Sequence, residues 1–250
     1  MPRRGDKIER APRKRAAPFR CRLVVMAKAP VAGGAKTRLA REIGVAAAIR
    51  FARQATAALL QRVAHDPRWQ TILAVSPDAA VTSRCWPRGI ARVRQGRGDL
   101  GRRMQRIMER MPPGPVAIVG TDVPGITPAL VADAFARLGR HEAAFGPATD
   151  GGYWLVGMRQ RPRLLRPFAN VRWSTEHALA DTLANLEGCT VAFIATLGDV
   201  DDAADLHLNS AFFGRRVMPA AVVVVPAEAG LHDTKATARG ELRGSPPARG

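Results

Sequence analysis

Asp122, in Gly120-Thr121-Asp122-Val123-Pro124, follows an apolar run that reads as a buried strand over 115–120. A carboxylate at the C-terminal end of a parallel strand points into the crevice where open α/β sheets bind ligands. A magnesium ion there takes one or two carboxylates, keeps several waters and accepts its other oxygens from phosphates. The competing role for Asp122 is to cap the turn into a helix that begins near Pro128. A second acidic stretch, Asp199-Val200-Asp201-Asp202-Ala203-Ala204-Asp205-Leu206, puts four carboxylates within seven residues. They repel one another unless a cation or basic partner sits among them, or the loop is simply solvated. The stretch lacks the glycine and terminal glutamate of an EF-hand loop.

Cations and glycines mark another stretch. Residues 23–39 run from Leu-Val-Val-Met into a loop that holds Lys28, Gly33, Gly34, Lys36 and Arg38. Glycines let the backbone approach a ligand, and three positive charges in eleven residues suit phosphate groups. Lys28 and Lys36 are also the only lysines between residues 21 and 213, in a chain whose 39 basic residues are nearly all arginine. A point-charge ammonium there suggests a local chemical requirement, against the plainer reading of a strand-to-helix turn with solvated cations. Ala35 before Lys36-Thr37 excludes a Walker A loop. Further on, Gly96-Arg97-Gly98-Asp99-Leu100-Gly101 fits G-x-G-x-x-G with Asp122 about twenty residues later, the spacing of a dinucleotide fingerprint. The fingerprint normally opens the first βαβ unit, whereas this match comes after at least two strands, so a plain glycine turn or another nucleotide-contacting loop competes with it. Asp150-Gly151-Gly152 reads as a hairpin turn, yet the only tyrosine, Tyr153, adjoins it, and the glycines would let a ring or sugar approach the backbone.

Elements that would hold these residues follow from periodicity. Short β-branched runs predict strands at 23–26, 70–75, 115–120, 143–145 and 190–194, with a short one at 91–93. Apolar spacing predicts helices over 45–65 and 102–111 and one starting near Pro128. Trp173-Ser174-Thr175 reads as the N-cap of a helix over 176–187. Strands alternating with helices argue for an α/β fold.

Composition narrows the function classes. The net charge of +18 resembles a nucleic-acid signal, but +6 of it falls in residues 1–20 and +3 in 214–250. Aromatic residues are 5% of the chain and the arginines are scattered, which argues against nucleic acid and leaves an anionic small molecule as the better account of the excess. Cys21, Cys85 and Cys189 have no metal-ligand spacing and cannot all pair, so a reducing cytoplasm is the simplest compartment. No apolar run is long enough for a membrane span, and no signal peptide follows the basic start. The expected organisation is a basic disordered arm over 1–20, a catalytic domain over 21–213 and a poorly ordered tail over 214–250.

Taken in order, Met26-Ala27 through Lys36-Thr37-Arg38-Leu39, Gly98-Asp99-Leu100-Gly101, Gly120-Thr121-Asp122-Val123-Pro124, Gly146-Pro147-Ala148-Thr149-Asp150-Gly151-Gly152-Tyr153, Trp173-Ser174-Thr175 and the 199–206 stretch carry a resemblance. The set resembles the bacterial glycosyltransferase-A-like family of the arsenosugar-biosynthesis type. More distantly, it is similar to the phospholactate and molybdenum-cofactor guanylyltransferases and the sugar-phosphate uridylyltransferases. That resemblance implies a three-layer α/β/α sandwich with a mostly parallel mixed sheet, of the nucleotide-diphospho-sugar transferase type. It implies that Lys36 and Arg38 grip a diphosphate or triphosphate, and that Ala27, Lys28, Gly33, Gly34, Gly98, Asp99, Gly101 and Thr121 bind the nucleotide. Asp122 and Asp201 would hold Mg²⁺ or Mn²⁺. Asp150 would act at the acceptor or sugar side, with Gly151, Gly152, Tyr153 and Trp173 lining it. Two departures stand out: the Gly-x-Gly of the nucleotidyltransferases is replaced by a longer loop over 29–35, and Asp202 stands where threonine follows the second metal carboxylate. The function implied is metal-dependent glycosyl transfer from a nucleoside diphosphate sugar to a small-molecule acceptor. Nucleotidyl transfer from a nucleoside triphosphate with release of pyrophosphate is the alternative, and a non-catalytic nucleotide-binding protein is the non-enzymatic one.

Overall fold

A computed structural model describes residues 20–30 and 37–198, apart from the side chains of Thr37 and Arg38. Gly33, Gly34, Lys36 and Asp201 lie outside the described residues, as do 1–19 of the expected arm and the expected tail.

The strands are β1 (Arg22–Lys28), β2 (Gln70–Ser76), β3 (Ala91–Arg94), β4 (Val116–Val119), β5 (Ala143–Pro147), β6 (Tyr153–Met158) and β7 (Val191–Phe193). The helices are α1 (Thr37–Ile43), α2 (Val45–Val63), α3 (Leu100–Arg110), α4 (Pro128–Leu138) and α5 (Ala178–Ala184). All seven strands join one sheet in the order β3-β2-β1-β4-β6-β5-β7. Every pairing is parallel except those of β6, which runs antiparallel to both β4 and β5. The expected mixed, mostly parallel sheet is therefore present.

Three layers follow from which face each apolar residue takes. In β1, Leu23, Val25 and Ala27 pack with Leu59, Leu60 and Val63 of α2 and Val131 and Ala134 of α4. Val24 faces the other way, into a cluster with Met104, Ile107 and Met108 of α3 and with Leu179 and Leu183 of α5. Burial on both faces is why β1, β2 and β4 read as unbroken apolar runs instead of alternating ones.

Local chemistry sets the helix ends. Asp99 Oδ1 accepts from the Arg102 amide at 2.7 Å and caps α3, which starts two residues earlier than its periodicity suggests. Thr127 Oγ1 accepts from the Leu130 amide at 3.3 Å and caps α4, with Pro128 opening the helix. Thr127, and not Asp122, is thus the cap before Pro128. The helix expected over 176–187 is confined to Ala178–Ala184 and has no side-chain cap. Ser174 sits at φ 62, and the Thr175 hydroxyl donates to Arg172 O at 2.8 Å, so this segment forms a turn in place of a cap. Helix α1 was not expected; its seven residues span too few turns for a periodic signal.

At the amino end of β1, Arg22 is only 3% exposed. Its Nη1 donates to the carbonyls of Arg20 at 2.9 Å and of Pro112 and Pro113 at 3.1 Å, which fastens the start of β1 to the turn before β4. The three cysteines are unbridged. No helix among the described residues is long and apolar enough to cross a membrane.

Candidate functional site

The carboxyl ends of β1, β2 and β4 open on a cavity of about 380 Å³. Its polar lining includes Lys28, Ser76, Gln95, Arg103, Thr121 and Asp122. Met26, Leu100, Met104, Ile118 and Val156 make an apolar side, and the Tyr153 ring closes one wall. A cleft with a few convergent polar groups on an apolar bed, at the strand ends of an open α/β sheet, is where such folds hold ligands.

Each polar group has a local reason to be there. Lys28 is the last residue of β1 and is exposed. Asp122 stands on the turn after β4, exposed, where its Oδ1 accepts from Thr121 Oγ1 at 3.3 Å. Behind that turn, Arg62 of α2 donates through Nη2 to Pro124 O at 2.9 Å, tying the loop to the layer below.

Gln95 follows β3 and is 2% exposed. Its amide nitrogen donates to Ala74 O at 2.9 Å and Ala27 O at 3.3 Å, across β2 and β1. Those two acceptors require the NH₂ on that side, so Oε1 faces α3 and accepts from Arg103 Nη1 at 2.8 Å. Arg103 Nε donates to Asp99 O at 3.3 Å. The loop between β3 and α3 is held from both sides. Gly96 donates to Asp78 Oδ1 at 2.9 Å, while Arg106 donates to Gln95 O at 2.9 Å and Arg97 O at 2.8 Å.

The expected site residues separate into groups. Lys28, Thr121, Asp122 and Tyr153 line the cleft together, and Ala27 lies buried beneath it with its carbonyl taken by Gln95. Asp99, Gly101 and Trp173 instead line a second groove of about 570 Å³ between α3 and residues 166–173. Asp99 is there as a helix cap. Gly101 is there because a Cβ would lie 2.7 Å from Trp173 Cζ2 and 2.8 Å from Phe168 O. Gly98, at φ 109, turns the loop and lines neither cavity. Arg38 lies in α1.

Asp150, Gly151 and Gly152 form the hairpin turn from β5 to β6 and also line neither cavity. Asp150 Oδ1 accepts from the Gly152 amide at 2.9 Å, and Gly151 O accepts from the Leu179 amide of α5 at 3.1 Å. The turn is thereby fastened to α5.

Tyr153 packs edge-to-face on Phe145 and Trp173, with ring centroids 5.3 Å and 6.4 Å away. Its hydroxyl lies 3.4 Å from Thr182 Oγ1, and burial pushes the phenol well above its ordinary range. It serves as a neutral wall. Trp173 is held by its neighbour Arg172, whose guanidinium and backbone amide together make three hydrogen bonds of 2.8–3.0 Å to Asp181 on α5. These bonds keep the Asp181 carboxyl below the usual carboxylate range.

The dinucleotide fingerprint fails on topology. A Rossmann unit pairs its two strands side by side, whereas β3 and β4 are separated by β2 and β1. Gly96–Gly101 and Asp122 are therefore not the two ends of one such unit. Sequence reasoning missed Gln95 and Arg103. A glutamine directly after a strand is a weak signal, and Arg103 is one arginine among many.

No cluster of three His, Cys, Asp or Glu side chains that could cage a metal occurs among the described residues. Asp122, the one cleft carboxylate among the described residues, nevertheless fits Mg²⁺, which is commonly held by one or two carboxylates together with substrate phosphates.

Comparisons with known proteins agree with this architecture. A family described as "Uncharacterized protein conserved in bacteria (DUF2064)" matches residues 59–175. No curated protein matches the chain in sequence. A protein from Desulfovibrio desulfuricans G20, described provisionally as a nucleotide-diphospho-sugar transferase, is similar in structure with a TM-score of 0.69 and 25% identity, over 76% of this chain and 86% of that one. Rv0371c from Mycobacterium tuberculosis H37Rv is similar in fold, with a TM-score of 0.50 and 17% identity over 77% and 98% of the two chains. The sheet and its helices have the fold of the nucleotide-diphospho-sugar transferases.

Proposed function

We propose that the chain is a transferase that binds a nucleotide-activated donor in the cleft at the ends of β1, β2 and β4, and that the group it transfers is a sugar. The observation that carries this reading is the joining of Asp122, Lys28 and Arg103 on one apolar-floored cavity at the strand ends. The likeness to the Desulfovibrio protein and the resemblance of the ordered motifs to the arsenosugar-biosynthesis type support it.

In glycosyl transfer the bond between the anomeric carbon and the diphosphate breaks as the acceptor hydroxyl oxygen bonds to that carbon and gives up its proton to water, and negative charge builds on the departing nucleoside diphosphate. Cations and donors already in place where that charge develops stabilise it without reorganising. Lys28 stands at the cleft, and Lys36 and Arg38 are the further cations this reading assigns to the diphosphate. Asp122, with Asp201 as a second carboxylate, would hold Mg²⁺ or Mn²⁺, which supplies charge neutralisation at the leaving group. The Tyr153 phenol stays protonated here, so it shapes the pocket and takes no proton.

The deciding experiment incubates the protein with nucleoside diphosphate sugars or nucleoside triphosphates in Mg²⁺, Mn²⁺ or chelator and identifies what is released. A metal-dependent nucleoside diphosphate is expected. Pyrophosphate would assign nucleotidyl transfer instead. Metal-independent binding without any product would leave a nucleotide-binding protein and overturn the enzymatic reading.

A further inference from the structure

Arg103 has five N–H groups and uses two of them within the protein. Nε–H donates to Asp99 O and one Nη1–H to Gln95 Oε1. Among the described residues no partner takes the other three, the second on Nη1 and both on Nη2. The guanidinium is held in advance of any ligand, because Gln95 is buried and its own amide is locked by two backbone carbonyls. Apolar residues share the cavity lining with it. Leu100 and Met104 adjoin Arg103 on α3, and Met26, Ile118 and Val156 line the same cavity. Asp122 belongs to the β4 side of the cleft, whereas Arg103 is anchored at the β3 side, with β2 and β1 between those strands.

A planar donor fork at the rim of an apolar slot suits the edge of a flat ring. We infer that Arg103 reads the nucleobase, selecting one whose edge offers two adjacent hydrogen-bond acceptors. Guanine does so through O6 and N7, and cytosine through O2 and N3. Adenine and uracil offer no two adjacent acceptors, so one prong of the fork would meet an N–H or a C–H. Gln95 is the positioning residue that fixes the fork. This inference rests on the proposal that the cleft binds a nucleotide.

The test titrates the full chain and its Arg103→Lys variant with GDP, CDP, ADP, UDP and inorganic pyrophosphate in Mg²⁺ by calorimetry, with thermal unfolding as the check on fold. The wild type is expected to favour GDP or CDP by about 5- to 150-fold over ADP and UDP, the range for one bidentate base contact. The tighter of GDP and CDP identifies the base. Lysine keeps the charge but not the fork, so Arg103→Lys should bring the four nucleotides to within about twofold of one another while leaving pyrophosphate affinity in place. If the lysine variant does not fold, Arg103→Met, which keeps the length without donors, is expected to lose the same preference. A preference that survives in the variants overturns the inference, as does an equal weakening of all four nucleotides and pyrophosphate, which would make Arg103 a phosphate cation. Wild-type binding of pyrophosphate alone, or of none of the five, overturns the nucleotide reading itself and this inference with it.

Discussion

Replacing Gln95 with leucine tests whether one buried amide joins the strands to the wall of the cleft. The substitution keeps the bulk and removes three hydrogen bonds: to Ala74 O at 2.9 Å, to Ala27 O at 3.3 Å and from Arg103 Nη1 at 2.8 Å. A well-formed neutral bond contributes about 1 kcal/mol, a long one about 0.5, and one from a charged donor about 1.5. Burial of the leucine offsets part of that sum, leaving a net loss of about 2 kcal/mol. For a chain of this size such a loss lowers Tm by roughly 4–8 °C. Urea unfolding followed by the fluorescence of the four tryptophans reads it as a lower midpoint at unchanged slope. Gln95→Glu separates the two ends of the amide, because it keeps an acceptor for Arg103 and loses both donors to the carbonyls. A loss as large as that of leucine places the stabilisation in the strand ties, and a small one places it in the Arg103 contact. A loss below about 0.5 kcal/mol for Gln95→Leu would refute the reasoning, since a buried amide with three working bonds cannot be that cheap to remove.

Other outcomes follow from the same contacts. Asp122→Ala is expected to cut turnover by about a thousandfold, the usual cost of a preorganised electrostatic group, without changing the unfolding midpoint; normal turnover would remove Asp122 from the chemistry. Gly101→Ala places a Cβ against Trp173 and the Phe168 carbonyl, and that backbone neighbour cannot swing aside, so a loss of about 1–3 kcal/mol is expected in denaturant unfolding. Tyr153 is the only tyrosine, so the ultraviolet absorbance of phenolate reports it alone. Its folded pKa is raised, so folded protein should show no phenolate near pH 10, where the unfolded chain ionises, and stability should fall as pH rises above that point. Asp181 has the opposite sign: its folded pKa is depressed by Arg172, so its contribution is present above about pH 4 and fades below it. The stability gap between the wild type and Asp181→Asn should therefore shrink on acidification, and a constant gap would dismiss the Arg172 contact.

Much of the sheet was legible because parallel strands buried on both faces must be continuous apolar runs, as β1, β2 and β4 are. Lys28, Thr121 and Asp122 could be placed for a related reason, since polar residues directly after such runs have only the strand ends to occupy. Helix α1 was not legible, because Leu39 and Ile43 are the only strongly apolar pair in its seven residues. The start of α5 was misplaced because Ser174 and Thr175 have cap-forming side chains, and only the backbone at φ 62 shows that they build a turn. Gly98, Asp99 and Gly101 read from sequence as a dinucleotide fingerprint or another nucleotide-contacting loop, and no sequence pattern showed that Asp99 also caps α3 or that Gly101 packs against Phe168 and Trp173. The Gln95 amide reaches a carbonyl 68 residues earlier in the chain, a contact that no local pattern encodes. Arg103 takes its meaning from that contact.

The Arg22 anchorage also decides how the molecule can be handled. Whatever precedes residue 20 joins the domain at the amino end of β1, and Lys28 at the cleft is the other end of the same seven-residue strand, about 20 Å away. A fusion partner joined directly at residue 20 would therefore attach at the amino end of β1, the end opposite the one that bears Lys28.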